Sequence, residues 1–234
     1  MGVALAEDGW AVAVHYNSSA AAAEECVALI REAGGTAAAV QADLSDPAQT
    51  SALIDKASQL LGGPLTALIN NASTFVADSA ENRSAHALNM AVNLEAPLQL
   101  SEDFAKQTDH GTILHMLDQR VLKPNPLYFS YSLSKAALFW AMKTQAQSFA
   151  PGIRVNGIGP GPTLRNVDQM EDEFEAEAKA TLLRRSSPPE DLVSAVRFLL
   201  SANSVTGQMI AVDAGQHLTW QTPDLMVGQN GEDT

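Results

Sequence analysis

Tyr131 and Lys135 stand four residues apart in Tyr131-Ser132-Leu133-Ser134-Lys135, and on a helix that spacing places two side chains one above the other on a single face. A phenol and an ammonium so placed can converge on one ligand as an acid-base pair. A free tyrosine titrates near pH ~10, and an adjacent cation favours the phenolate and brings the phenol towards working pH. The same pattern also describes an ordinary amphipathic helix surface. Three further stretches decide between the two.

Asn70-Asn71-Ala72-Ser73 follows the apolar run 65–69, which places it at the carboxyl end of a buried strand, the edge where open α/β sheets bind ligands. Asn93 is a polar side chain within the apolar helical stretch Met90-Ala91-Val92-Asn93-Leu94. The segment 154–163 reads as a strand ending in the turn Pro160-Gly161-Pro162-Thr163.

Asn-Asn-Ala, an asparagine in the next long helix, Tyr-x-x-x-Lys and Pro-Gly-x-Thr follow one another in this order along nearly the whole chain. In this the sequence closely resembles the short-chain dehydrogenase/reductase family. The resemblance implies an α/β fold of the Rossmann type, a doubly wound parallel sheet, with Tyr131 as proton donor. It also implies that Lys135 lowers the tyrosine pKa and binds the nicotinamide ribose, and that Asn93 holds a water that relays protons. A buried, hydrogen-bonded asparagine at a helix kink is the alternative for Asn93.

One departure from the commonest pattern carries information. Most members have a serine about a dozen residues before the tyrosine, whereas Ile113-Leu114-His115-Met116-Leu117-Asp118 ends its strand in an aspartate. A hydroxyl suits the polarisation of a ketone; reduction of C=N needs a proton on nitrogen as hydride reaches carbon, and a carboxyl can supply or relay it. The pteridine reductase and dihydromonapterin reductase branch shows the same replacement. It also resembles this chain at Asn71-Ala72-Ser73-Thr74-Phe75 and at Asp213-Ala214-Gly215-Gln216-His217-Leu218. By that resemblance Phe75 stacks on the pterin ring, against the nicotinamide on its other face, and Ser73 binds cofactor or pterin. The alternatives are a strand cap for Asp118 and a core aromatic for Phe75.

The elements that position these groups follow from periodicity and breakers. Residues 1–8 read as a short helix stopped at Gly9, 10–15 as a strand, 20–33 as a helix ended by Gly34-Gly35, and 36–42 as a strand. Ser45 or Asp46 before Pro47 starts a helix to Leu61, with Gly62-Gly63-Pro64 as its breaker. A long helix over 85–106, the Asp118 strand, the Tyr131 helix to Phe149, a strand into Pro160, a helix from Pro188 to Leu200 and a last strand over 209–213 complete the domain. Its expected extent is 1–220, followed by a polar tail over 221–234. Residues 164–185 carry Asp168, Glu171, Asp172, Glu173, Glu175 and Glu177 and then Arg184-Arg185; family members use this segment as a mobile lid over the substrate.

In the family a strand and a Gly-rich turn precede the first helix and hold the cofactor pyrophosphate, and neither is found ahead of residues 1–8. The expectation is an N-terminally truncated domain, as from a start at an internal methionine, with a shorter native protein as the alternative. The missing strand belongs in the middle of the sheet, between the strands ending at His15 and Asn70.

His15-Tyr16-Asn17-Ser18-Ser19 contains no Asp or Glu at the strand end where one would repel a 2′-phosphate, which favours NADPH over NADH. An Asn/Ser turn with a helix cap at Ser19 explains the stretch equally well. By the resemblance, Asp43 and Leu44 lie along the adenine, Asn71, Ala72 and Ser73 line the cofactor, and Pro160, Gly161 and Thr163 meet the nicotinamide carboxamide or a phosphate.

Composition limits the alternatives. With 234 residues and 46% hydrophobic content the chain suits one α/β domain. The formal net charge of −13 argues against nucleic acid and acidic membranes, and no apolar run approaches the ~20 residues of a membrane span. One cysteine, Cys26, forms no internal disulfide and fits a reducing cytoplasm, and the five histidines form no metal-ligand pattern. By the resemblance, the apolar face of the Tyr131 helix pairs with its copy in a homodimer or homotetramer; simple core packing explains the same residues. The reading is an NADPH-dependent reductase of a pterin C=N bond. A ketone or 3-oxoacyl reductase is the alternative among enzymes, and a non-catalytic family member with an interaction role the alternative outside them.

Overall fold

The computed structural model describes residues 1–165 and 169–220; Asp168 of the lid segment and the tail 221–234 lie outside the described residues. The sheet comes in two parts. Strands β1 (Val12–Tyr16) and β2 (Ala37–Gln41) pair in parallel. Strands β3 (Ala67–Asn70), β4 (Gly111–Met116), β5 (Ile153–Pro160) and β6 (Met209–Val212) form a second parallel sheet in that spatial order. Its centre is the β4–β5 ladder, which runs from Gly111 beside Ile153 to Met116 beside Ile158. Strands covered on both faces read as continuous apolar runs, and Ile113, Leu114, Val155 and Ile158 are fully buried.

The helices are α1 (Gly2–Glu7), α2 (Ala20–Glu32), α3 (Pro47–Leu61), α4 (His86–Met90), α5 (Ala96–Gln107), α6 (Phe129–Ser148), α7 (Glu171–Lys179) and α8 (Pro189–Ser201). Helix α3 shows why the sequence punctuates where it does. Asp46 is its cap, accepting from the Ala48 amide at 2.9 Å, Pro47 takes the first turn, and Gly62 closes it in the left-handed region at φ 80°.

The long helix expected over 85–106 is interrupted. Between α4 and α5 the residues Ala91–Glu95 form a turn of π-helix. Pro97 is the physical reason: it has no amide hydrogen to give to the carbonyl four residues back, which is that of Asn93, and its ring crowds that carbonyl. The widened turn holds Asn93 fully buried.

Among the described residues, β1 pairs only with β2 and β3 only with β4. The two unpaired edges face a common cavity of about 520 Å³, lined by Val12, Val14, Leu53, Ile54, Leu68 and Leu100 among others. This seam lies where the sequence places a central strand. The carboxyl ends of β3, β4 and β5 gather Asn70, Met116 and Pro160 along one edge of the larger sheet.

A buried network braces that edge from below. His115 on β4 accepts from the Asn70 amide through Nδ1 at 3.2 Å and faces the Gln145 carbonyl oxygen through Nε2 at 2.9 Å, which selects the tautomer with its proton on Nε2. Burial holds its pKa down to about 4, with the Lys135 charge acting in the same direction. In the unfolded chain the ring takes a proton below about 6.5, while in the fold it stays neutral to about 4. This contribution to stability is therefore complete above pH ~6.5 and is lost as pH falls towards ~4, by an amount on the order of 3 kcal/mol. Urea unfolding at pH 7 and pH 4.5 is expected to show that loss in the wild-type chain and a clearly flatter dependence in His115→Asn. Equal slopes in the two proteins would contradict it.

Candidate active site

Four backbone segments meet above the carboxyl ends of β3, β4 and β5. Helix α6 supplies Tyr131 and Lys135, both buried. The end of β4 supplies Asp118, whose carboxylate caps the 3₁₀ turn Gln119–Val121. The Tyr131 hydroxyl donates to Asp118 Oδ2 at 2.7 Å. Lys135 Nζ donates to the Met116 carbonyl at 2.7 Å and lies 5.8 Å from the centre of the Tyr131 ring.

Burial raises the Tyr131 pKa well above the ordinary range, and the charge and hydrogen bond of Asp118 raise it further. Tyr131 is held as a hydrogen-bond donor to Asp118. The Lys135 pKa is itself brought down to about 8 by burial, against the opposing charge of Asp118.

Asn93 fastens the loop after β3. Its Oδ1 accepts from the Thr74 amide at 2.8 Å and from Ser73 Oγ at 3.0 Å, while its Nδ2 donates to the Thr74 carbonyl at 2.9 Å and to Ser134 Oγ at 3.3 Å. Both amide protons are thus engaged, as expected of a buried asparagine at a helix kink. The side chain sets the position of Ser73, Thr74 and Phe75. Asn71 and Ser73 are exposed and Ala72 half-buried along the same loop.

Phe75 lies against the acid-base pair. Its ring meets Tyr131 edge-on, with centroids 4.7 Å apart, and stacks on Tyr128 at 4.2 Å and 15°. Tyr128 and Arg120 were not singled out in the sequence. The Arg120 guanidinium carbon lies 5.2 Å from the Phe75 ring centre and 5.5 Å from that of Tyr128. Its Nη1 also contacts both oxygens of Asp118, at 3.3 and 3.1 Å. A signal for both was available: Tyr128 precedes Tyr131 by three residues and Arg120 follows Asp118 by two.

Asp78 is a third residue beyond the sequence reading. Tyr128, at the N-cap of α6, makes no side-chain capping bond. Asp78 Oδ1 instead accepts from the Ser130 amide at 2.9 Å, and the Asp78 carbonyl from the Phe129 amide at 3.4 Å. The loop that carries Phe75 thereby caps the helix that carries Tyr131.

The remaining residues divide by position. Pro160 ends β5, and Gly161 passes so close to β6 that a Cβ there would meet the Asp213 Cα at 2.6 Å. Thr163 Oγ1 donates to the Gly161 carbonyl at 3.1 Å and closes that turn. Along the smaller sheet, His15 Nε2 lies 2.9 Å from the Ala42 carbonyl, and Asp43 Oδ1 accepts from the amide and hydroxyl of Ser45. Leu44 is buried, Tyr16 half-buried, and Asn17, Ser18 and Ser19 are exposed. The described residues contain no cluster of His, Cys, Asp and Glu able to hold a metal ion. They also contain no helix long and apolar enough to cross a membrane.

The family model described as enoyl-(acyl carrier protein) reductase matches residues 1–217. The chain belongs to the short-chain dehydrogenase/reductase family. It is an oxidoreductase fold of parallel sheets and flanking helices. The chain is 41% identical to the FolM alternative dihydrofolate reductase 1 of Brucella suis, solved in complex with NADP, with a TM-score of 0.90 over 94% of this chain and 90% of that one. It is 30% identical to the dihydromonapterin reductase of Citrobacter koseri over 76% of this chain and 77% of the relative. It is also 33% identical to 3beta-hydroxysteroid dehydrogenase 1 of Eggerthella lenta over 98% of this chain and 93% of the relative.

Replacing Asn93 by Ala removes the acceptor of the Thr74 amide and the donor to the Thr74 carbonyl, while Ser134 Oγ keeps its bond to the Tyr131 carbonyl. We expect a loss of about 2–3 kcal/mol in urea unfolding. A loss below about 1 kcal/mol would show that the loop holds its place without Asn93.

Proposed function

We propose that the chain is an NADPH-dependent reductase acting on the C=N bond of a pterin, converting a dihydropterin to a tetrahydropterin. The observation that carries this reading is the 2.7 Å hydrogen bond from Tyr131 to Asp118 beside the exposed edge of the Phe75 loop. The likeness to FolM and to dihydromonapterin reductase supports the substrate class.

The residues present fit the nicotinamide half of the cofactor. The Met116 carbonyl occupies one of the three protons of the Lys135 ammonium, so that the group has donors left for ribose hydroxyls. Asn17, Ser18 and Ser19 offer exposed neutral donors at the end of β1, and the Asp43 carboxylate is turned onto Ser45, which suits a 2′-phosphate. NADPH supplies the hydride.

The protein's part is to hold a ring and to move a proton. Phe75 gives the pterin a flat apolar face, and Ser73 a hydroxyl at its edge. The Tyr131 phenol gives its proton to the Asp118 carboxylate through their existing hydrogen bond, and Asp118 relays it to the ring nitrogen as the adjacent carbon receives hydride. The Lys135 ammonium stabilises the transient phenolate. Tyr131 stays protonated until the nitrogen becomes basic, which ties proton transfer to hydride arrival. Leu133 and Trp140, seven residues apart on α6 and 43% and 70% exposed, share one face of the helix and support assembly as a homodimer or homotetramer through it.

Ketone reduction is the second reading, favoured by the likeness to a hydroxysteroid dehydrogenase. Oxidation of NADPH by dihydropterins, measured against a panel of ketones, separates the two: turnover of ketones alone would overturn the pterin assignment. Tyr131→Phe is expected to lower kcat by at least about 100-fold with cofactor binding retained. Full activity in that variant would remove Tyr131 from the mechanism. Because Lys135 loses its proton near pH 8 in the unliganded protein, kcat/KM is expected to fall on the alkaline side from about that pH. In Lys135→Arg that limb should move well above pH 9 in whatever activity remains.

A further inference from the structure

Arg120 stands between two parts of the site that the reaction must bring together. On one side its guanidinium meets the Asp118 carboxylate through Nη1 at 3.1 Å, and on the other it lies within about 5.5 Å of both stacked rings, Phe75 and Tyr128. The side chain is only 17% exposed. Its Nε is fully buried and has no hydrogen-bond partner, an uncommon state for a guanidinium N–H. A backbone turn alone does not call for this arrangement. The capping bond to Asp118 Oδ1 comes from the Arg120 amide, at 2.7 Å, and any residue at position 120 other than proline would supply it.

We propose that Arg120 is the positioning residue of this site: its guanidinium holds Asp118 as a charged acceptor and joins it to the aromatic wall, so that seating a ring and delivering a proton depend on one another. The inference rests on the acid-base reading of Asp118 and Tyr131, and not on which ring is reduced. The Asp118 carboxylate accepts from Tyr131, from the Arg120 amide and from the guanidinium. A carboxylate accepting these bonds keeps Tyr131 protonated and aimed. Planar stacking on the rings also fixes the guanidinium, in a way that a lysine ammonium would not reproduce.

Among the described residues, the charged and titratable groups tied to Asp118 are Tyr131 and Lys135 from helix α6 and Arg120 from its own turn. Of these, Arg120 alone both carries a full charge and bonds the carboxylate.

The test separates the charge from the planar face. Reduction of the ring substrate that the wild-type full chain turns over, dihydropterin or ketone, is measured in wild type, Arg120→Met and Arg120→Lys. Methionine keeps an unbranched apolar stem and the backbone cap while removing the charge. In Arg120→Met kcat is expected to fall at least about tenfold, and in Arg120→Lys to stay within about threefold of wild type. The lysine variant should nevertheless show KM for that substrate raised about tenfold, because an ammonium lacks the planar face. Wild-type kcat in folded Arg120→Met, or equal kcat in the two variants, would overturn the charge-holding role. Wild-type KM in Arg120→Lys would overturn the link to the aromatic wall. If Arg120→Met fails to fold, Arg120→Gln takes its place in the same assay, with the same expectation. A failure of the pterin assignment shows in the wild-type substrate comparison alone and leaves these ratios readable.

Discussion

The hydrogen bond from the Tyr131 phenol to the Asp118 carboxylate is the constraint on which the rest of this site depends. Two groups of opposite chemical habit are buried side by side. A phenol in an apolar setting resists losing its proton, and a neighbouring carboxylate strengthens that resistance. The pair is consequently set with Tyr131 as donor and Asp118 as acceptor. The contacts around the pair keep those two oxygens at that separation.

Three devices achieve this, and each spans a large distance in sequence. Asp78 caps α6 from a loop 52 residues earlier, so the helix carrying Tyr131 and the loop carrying Phe75 move as one. Asn93 reaches from a helix turn to the same loop and to Ser134 on α6. Beneath the site, His115 joins β3 to α6 through Asn70 and Gln145. The site is therefore built from long-range polar contacts within an apolar framework, where each unsatisfied group would cost about 1–3 kcal/mol.

Much of the fold was legible in the sequence because its signals are local. Pro47 and Gly62 mark the ends of α3, and the apolar runs of β4 and β5 announce strands covered on both faces. The split between β1 and β3 was also foreseeable, since the family resemblance implies a strand between them that the sequence does not show. Tyr131 and Lys135 drew notice through their spacing, and Asp118 through the family resemblance, which places a serine at its position. Arg120, Tyr128 and Asp78 were missed because their roles arise from approach in space: a cation over two rings, and a cap supplied across 52 residues, leave no periodic trace. Spacing puts Lys135 on the same helix face as Tyr131, but it does not report the burial and the Asp118 contact that also act on the phenol.

The π-turn around Asn93 has a consequence for how this chain tolerates change. Pro97 touches neither Tyr131 nor Asp118 through any hydrogen bond, yet its missing amide hydrogen shapes the turn from which Asn93 reaches the Phe75 loop. An amino-acid replacement at 97 would let a regular helix return and rotate Asn93 away from Thr74. Positions 93 and 97 therefore form an epistatic pair: the fitness effect of a substitution at one depends on the residue at the other, although only one of them borders the site.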